Sequence, residues 1–263
     1  MTILVCCKQV PGTNKVEVDP ETGVLKRAGV AAKLNPYDLF ALETAFTLAE
    51  ETGGTVKTLS MGPPQAEEAL KETLWMGAEE AVLLSDRKFA GADVAATSYA
   101  LALGAREMGA FDIILCGKQT TDGDTAQVGP ELAERLGMEH AANVTRICAL
   151  EEGSVTVTID LDSALQTQKM RLPCLLTIDK DANTPRLPSY RRKKSMDLQT
   201  RVRVLAAADL PDADEARLGL KGSPTQVVRV FPPEANAERQ TFAGTGVEMA
   251  DQLYCMLREQ KFV

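Results

Sequence analysis

The chain has 263 residues, 44% of them hydrophobic and 25% charged, and carries a formal net charge of −8. That apolar fraction can bury a sizeable core, which argues against intrinsic disorder, and the acidic balance leaves no broad electrostatic drive toward nucleic acid. No apolar stretch reaches the roughly 20 residues that a bilayer-spanning helix needs, so membrane insertion is not expected.

Strand and helix patterns alternate through the first half. Ile3-Leu4-Val5-Cys6-Cys7 is a short apolar run of the kind found in strands covered on both faces. It follows the first residue so closely that no basic leader region precedes it, and a cytoplasmic location is the expectation. Asn35-Pro36-Tyr37-Asp38 supplies a capping residue, a proline at the first helical position and an acid in the first turn. The helix it opens carries Leu39, Leu42, Phe46 and Ala49 at helical spacing and stops at Gly53-Gly54. Strands are predicted over residues 55–61, 81–84 and 113–116, and helices over 65–76, 93–108 and 130–136, each helix closed by a glycine. This order argues for an α/β fold, a three-layer sandwich around a mostly parallel sheet.

From residue 144 the pattern changes. Residues 144–150 and 155–159 flank Glu151-Glu152-Gly153-Ser154, a hairpin signal, and further strands are predicted at 170–172 and 175–178 on either side of Pro173. A basic cluster, Arg191-Arg192-Lys193-Lys194, follows; charge runs of this kind commonly form solvated faces. Beyond about residue 209 the chain is rich in Pro, Gly and acids, with isolated apolar pieces such as 227–231, and it ends in an amphipathic helix with Met249, Leu253, Met256 and Leu257 on one stripe. The chain therefore divides into a compact body, residues 1–185, and an extended C-terminal arm, residues 186–263, too polar to form its own core and expected to lie across a partner subunit.

Cysteine and histidine exclude several chemistries. None of the six cysteines lies in a CxxC pair, so zinc-ribbon and iron–sulfur spacings are absent, and the cysteines are expected to be buried small hydrophobes. The single histidine, His140, rules out a two-His metal site within the chain and is expected at the surface or at a helix end.

In open parallel sheets ligands bind beyond the carboxyl ends of the strands. Three segments occupy such ends: Cys7-Lys8-Gln9-Val10-Pro11-Gly12, Ser60-Met61-Gly62-Pro63, and the loop Gly117 to Pro130. In that loop Thr125, Ala126 and Gln127 stand at the start of a helix, where free backbone N–H groups and small side chains suit a phosphate. Asp122 and Asp124 suit loop capping, ribose hydroxyls or an ion better than phosphate. An ordinary βα turn uses the same residue types. Neither a GxGxxG after the first strand nor a GxxxxGK[ST] occurs, and Gly244-Thr245-Gly246 lacks the strand that such a motif requires.

Taken together, Val5-Cys6-Cys7-Lys8-Gln9-Val10-Pro11, Asn35-Pro36, Ser60-Met61-Gly62-Pro63, Met76-Gly77-Ala78, the loop from Gly117 to Pro130, Leu172-Pro173 through Thr177, and Pro185-Arg186-Leu187 resemble the β subunit of electron transfer flavoprotein. The resemblance implies an adenine-nucleotide α-hydrolase-like fold and an obligate heterodimer with an α subunit that carries FAD on a mobile domain. It implies nucleotide contacts at Cys7, Lys8, Asn35, Met61 and Gly62, and at Asp122, Gly123, Asp124, Thr125, Ala126, Gln127 and Val128. In one branch of the family this pocket holds AMP; in the electron-bifurcating, anaerobic branch it holds a second FAD against which NADH docks. Gly123, Ala126 and Val128, where the AMP branch tends to carry an acid, Asn and Thr, resemble the bifurcating branch, as does the segment from Val18 to Leu25 with Arg27, Gly29 and Val30. FAD is therefore favoured over AMP. The resemblance further implies electron transfer from NADH to the α-subunit flavin, and on to a flavin-containing dehydrogenase, with ferredoxin as the second acceptor. No side chain is then required as acid, base or nucleophile, and no metal is called for. The residues 162–167, Asp-Ser-Ala-Leu-Gln-Thr, depart from the family pattern, and the loop after Pro185 is shorter than in many members, around Leu187, Pro188, Ser189 and Tyr190, where the family recognises its dehydrogenase. A nucleotide sensor on the same fold would lack the flavoprotein partner, and a synthetase or hydrolase would need the glycine-rich pyrophosphate loop that is missing here.

Overall fold

The computed structural model describes residues 1–12, 17–18, 25–26, 32–197, 201–228 and 239–263. In chain order its elements are β1 (Thr2–Cys6), β2 (Gln9–Pro11), β3 (Glu17–Val18), β4 (Leu25–Lys26), β5 (Ala32–Leu34), α1 (Pro36–Thr52), β6 (Thr55–Met61), α2 (Glu67–Met76), β7 (Glu80–Leu84) and α3 (Val94–Met108). There follow β8 (Ile113–Gly117), α4 (Val128–Leu136), β9 (Glu139–Glu151), β10 (Ser154–Asp160), β11 (Leu165–Arg171), β12 (Cys174–Ile178), α5 (Tyr190–Ser195), β13 (Val202–Leu205) and α6 (Gly246–Glu259).

Nine strands form one sheet in the order β11-β10-β9-β12-β8-β1-β6-β7-β13. From β9 through β13 every neighbouring pair is parallel; β9, β10 and β11 form an antiparallel extension at one edge. The central strands are apolar on both faces because helices cover both. Ile3, Val5, Ile113 and Leu115 face α1 and α2, and Leu4, Ile114 and Cys116 face α3 and α4. All of these except Cys116 and Ile114 are 0% exposed. The three-layer α/β sandwich is thus set by two apolar faces per strand, each needing its own helical cover.

The body runs past residue 185. Val202–Leu205 joins the sheet beside β7 with Val202 opposite Ala81 and Leu205 opposite Leu84. Ala207, Leu210 and Leu218 then pack on the α3 face. The Tyr99 hydroxyl accepts the Asp214 N–H at 2.9 Å and donates to the Asp212 carbonyl at 3.2 Å, and Ser223 Oγ accepts the Asp93 N–H at 2.8 Å. A boundary at 185 leaves out a strand that only its non-local pairing with β7 makes visible. Farther on, α6 is exposed along its length apart from Met256 and Leu257, which are half-buried. The apolar pieces at 227–231 and the early segment 18–30 lie largely outside the described residues; Val227 and Val228 are exposed.

Cys6, Cys7, Cys116 and Cys174 are buried, but Cys148 and Cys255 are exposed, against expectation. His140 lies exposed on β9. Among the described residues no helix is long and apolar enough to cross a membrane.

Arg186 pins the segment after β12 to α1. Its Nε and Nη2 donate to Glu43 Oε2 and Oε1, both at 2.9 Å, its own N–H reaches Glu43 Oε2 at 2.8 Å, and Nη1 reaches Glu50 at 2.6 Å. The guanidinium also lies 5.0 Å from the centre of the Phe46 ring. Burial would raise the Glu43 carboxyl, but Arg186 outweighs it and holds the group below its ordinary 4.5. A depressed carboxyl stabilises above its unfolded value and loses that contribution as pH falls through the folded one. Arg186→Met is therefore expected to cost about 1–2 kcal/mol at pH 7, the bidentate bonds being charge-assisted yet partly open to solvent. The deficit should shrink as pH falls through the depressed Glu43 value and the carboxyl gains its proton; urea unfolding at pH 7 and in acid measures it.

Candidate functional site

The connection leaving β1 runs by way of α1 to β6, whereas that leaving β8 runs by way of α4 to β9, on the other side. Chain directions therefore diverge between β1 and β8, and a crevice opens at their carboxyl ends. Three predicted segments meet there: Cys7-Lys8 after β1, Met61-Gly62 at the end of the neighbouring β6, and the loop 118–127 after β8.

The excursion from Lys8 to Asn35 closes on itself. β2 and β5 pair antiparallel, and the Asn35 N–H donates to the Lys8 carbonyl at 2.8 Å. Asn35 thus arrives beside β1 just as α1 begins. It stands at the N-cap position, yet its side chain makes no cap bond with α1. Its Nδ2 donates instead to Asp38 Oδ1 and to the Gln119 carbonyl, both at 2.9 Å, and its Oδ1 accepts the Thr121 N–H at 3.3 Å. Asn35 is 0% exposed. Its amide is spent inside the protein, so it serves the site by holding the loop and not by a side-chain contact of its own.

The loop itself faces outward. Residues 121–127 are all exposed, and Val128 is half-buried. Asp124 and Ala126 have φ of 50° and 55°, in the left-handed region that non-glycine residues seldom adopt. The Asp124 N–H reaches the Thr120 carbonyl at 3.1 Å, and the Gly123 N–H reaches Thr120 Oγ1 at 3.4 Å. Gln127 follows in right-handed conformation at φ −108° and ψ −24°, as the N-cap of α4, with no side-chain cap bond. A left-handed residue followed by a right-handed one turns successive N–H groups toward one point, a concavity suited to an anion, and the first turn of α4 adds its unpaired donors. The donors are mostly backbone, and the small side chains of Gly123, Thr125 and Ala126 leave them open. This arrangement fits a pyrophosphate.

The acids of the loop are accounted for inside the chain. Lys8 Nζ lies 2.7 and 2.9 Å from the two oxygens of Asp122. Burial would raise the Asp122 carboxyl, but Lys8 and the Thr120 hydroxyl hold it below its ordinary range. Lys118 pairs with Asp179 at 2.9 Å, and that hydrogen bond raises the Lys118 ammonium. Asp122 is therefore a strap between two strand ends, and Asp124 occupies a turn. At the other wall the Gly62 N–H is taken by the Leu84 carbonyl at 3.0 Å, while Met61 and Gly62 remain half-buried at the rim. Cys7 is buried; its N–H goes to Leu59 and its thiol lies 3.8 Å from the Val5 carbonyl. Burial first, then the nearby Asp38 and Cys116, push that thiol well above its usual range. Of the predicted contacts, Lys8, Met61, Gly62 and the loop residues reach the surface of the crevice; Asn35 and the Cys7 side chain support it from beneath.

Sequence reasoning passed over two residues. Asp38 was legible only as an acid in a first helical turn, and Gly117 only as the first residue of the loop that follows a strand. Yet a Cβ on Gly117 would lie 2.5 Å from Asp38 Oδ1 and 2.7 Å from the Tyr37 carbonyl carbon. The glycine is what lets α1 begin against the tip of β8. Among the described residues no group of three or more His, Cys, Asp or Glu side chains is placed to hold a metal ion.

Comparison with known proteins gives the family. Residues 22–210 match the electron transfer flavoprotein domain. Protein FixA of Azorhizobium caulinodans is 44% identical over 251 residues, covering 92% of this chain and 88% of its own. The electron transfer flavoprotein subunit beta of Thermoanaerobacterium thermosaccharolyticum is 44% identical over 253 residues and 96% of each chain. Caffeyl-CoA reductase-Etf complex subunit CarD of Acetobacterium woodii is 44% identical over 266 residues and 100% of each. A match across most of the sheet, with relatives aligned nearly end to end, means that the chain belongs to the electron transfer flavoprotein family, among its β subunits.

Proposed function

We propose that this chain is the β subunit of an electron-bifurcating heterodimer, with FAD in the crevice between β1, β6 and β8 and NADH as the electron donor. The observation that carries the choice of FAD over AMP is Gly123. A Cβ there would meet only Thr120 Oγ1, at 3.7 Å, and the residue does not have positive φ. Neither packing nor backbone conformation calls for glycine at that point, so the space it leaves lies outside the chain, over the donors of the loop, where a longer dinucleotide needs room. FAD, when bound, supplies acceptance of a hydride from a nicotinamide and release of its electrons one at a time.

The residues of this chain bind and orient. The N–H groups around Ala126, Gln127 and Val128 receive the pyrophosphate, the Lys8–Asp122 pair closes one side, and Met61 and Gly62 form the opposite rim. The buried ends of β1 and β8 beneath them, with Cys6, Cys7 and Cys116, exclude water. The α subunit is the obligate partner; the exposed Val247, Met249, Leu253 and Tyr254 of α6 supply an apolar face for it. Likeness to a subunit of a reductase-Etf complex supports onward assembly with a flavin-containing dehydrogenase, and ferredoxin takes the second electron. The complex is proposed to work in the cytoplasm.

Anaerobic co-purification with the α subunit, followed by acid extraction and chromatography of the released nucleotides, tests this. Two FAD per heterodimer is the expected result. One FAD with one AMP would replace bifurcation by the alternative, a simple electron carrier with a structural nucleotide.

A further inference from the structure

Asp38 is 4% exposed, and each polar group bonded to its carboxylate is a donor. Its Oδ2 accepts the Lys8 N–H at 2.7 Å, its Oδ1 accepts Asn35 Nδ2 at 2.9 Å, and the Gly117 N–H adds a third bond. Two of these three donors lead onward to the loop. Asn35 holds the Gln119 carbonyl and the Thr121 N–H, and Lys8 holds Asp122. One buried carboxylate therefore fastens the segment 119–122 by two routes, and with it the approach to the donors at the start of α4.

We propose that Asp38 is the positioning residue of the loop 118–127: ionised, it clasps the loop in its nucleotide-accepting shape, and on taking up a proton it lets the loop go. The inference rests on the reading of this loop as a nucleotide site. A protonated carboxyl must place an O–H, and the Lys8, Asn35 and Gly117 groups around it are all donors, so the O–H either goes without an acceptor or displaces one of them, and the bonds that remain lose the charge that strengthened them. Burial pushes the Asp38 carboxyl up to about 7, against the pull of the bonds from Asn35, Lys8 and Gly117 and the charge of Lys8. The other titratable groups against it are the Cys7 and Cys116 thiols and the Lys8 ammonium with its partner Asp122. Both thiols are raised, Cys7 mainly by burial and Cys116 by its hydrogen bond with Cys6 and by burial, and Asp122 is held low. Asp38 is thus the member of the cluster that changes charge around neutral pH.

The sign separates this role from a merely structural one. A carboxyl raised in the folded state adds stability that is complete below its unfolded value, 3.8, and is lost as pH rises toward 7. Lowering the pH from 8 toward 5.5 should therefore help the global fold while loosening the loop, two effects of opposite direction.

The experiment uses the heterodimer freed of its nucleotides, with FAD as the probe because its pyrophosphate lacks the secondary ionisation near pH 6 of a phosphate monoester such as AMP. FAD affinity and amide hydrogen exchange of residues 118–128, corrected for intrinsic rates, are followed from pH 8.5 to 5.5 in the wild type and in Asp38→Asn. The wild type is expected to bind about tenfold more weakly one pH unit below the midpoint, as the clasped fraction falls, with loop protection falling in parallel. Asp38→Asn should be weak and loosely protected throughout, with no dependence on pH. Loop protection that stays constant across this range in the wild type would overturn the proposal, and that arm needs no variant. So would an Asp38→Asn heterodimer that binds and protects as the wild type does at pH 8. If FAD and AMP both fail to bind while loop protection still follows pH and Asp38, the nucleotide reading falls and the positioning role stands.

Discussion

Gly117→Ala is expected to cost the fold about 2–3 kcal/mol and to strip the heterodimer of the nucleotide proposed for its β side. The added methyl would sit 2.5 Å from Asp38 Oδ1, 2.7 Å from the Tyr37 carbonyl carbon and 2.9 Å from the Asp38 nitrogen. Two of these are backbone atoms of the first turn of α1, which cannot rotate away as a flexible side chain would. The helix must back off from β8, and overpacking of this kind costs about 1–3 kcal/mol. The displacement falls on the Asp38 carboxylate, so the Lys8 and Asn35 bonds lengthen together and the loop loses both of its ties. Urea unfolding of the purified chain gives the stability; nucleotide content of the heterodimer gives the function. A variant with wild-type midpoint and full nucleotide content would show that α1 does not need this close approach.

Gly123→Asp is expected to do the reverse: to leave the fold within about 0.5 kcal/mol of the wild type, as exposed substitutions do, and yet to weaken FAD binding at least about tenfold. Position 123 has room for a side chain and an ordinary backbone angle. A carboxylate there joins Asp124 beside the backbone donors proposed to take the pyrophosphate, while Asp122 is already neutralised by Lys8. One like charge about 4 Å away costs from about 1 kcal/mol in water to about 4 kcal/mol near a protein surface. Titration of the nucleotide-free heterodimer with FAD measures it, and Gly123→Ala serves as the control without charge. Unchanged FAD affinity in Gly123→Asp would place the pyrophosphate elsewhere.

The contrast between these glycines marks how far the sequence is legible. The buried parallel strands announce themselves: Ile3-Leu4-Val5-Cys6 and Ile113-Ile114-Leu115-Cys116 are apolar without interruption because both faces are covered, and their helices carry ordinary stop signals. Strand β13 does not. Val202-Arg203-Val204-Leu205 leaves Val204 51% exposed, and its reason for being a strand is a parallel partner, β7, far off in the chain. Strand β11 was visible only in its last residues, since at the open edge of the antiparallel extension most of its side chains face water and polar residues serve as well as apolar ones. The loop 118–127 could be singled out as a candidate by its position after an apolar strand and by its small residues, although not distinguished from an ordinary turn. What holds it could not be found. Asn35 and Asp38 carry the chemistry of a helix cap, and nothing local says that their hydrogen bonds go to Lys8, Gln119 and Thr121 instead; only the closure of the 8–35 excursion brings those groups together.

An anaerobic crystal structure of the heterodimer would locate the nucleotide itself. FAD density with its pyrophosphate against the backbone N–H groups of Ala126, Gln127 and Val128, the Lys8–Asp122 pair beside it and the flavin ring extending past Met61 and Gly62, is the expected result. A nucleotide bound away from the β1–β8 crevice, or a loop 118–127 folded down so that its amides face the interior, would contradict it.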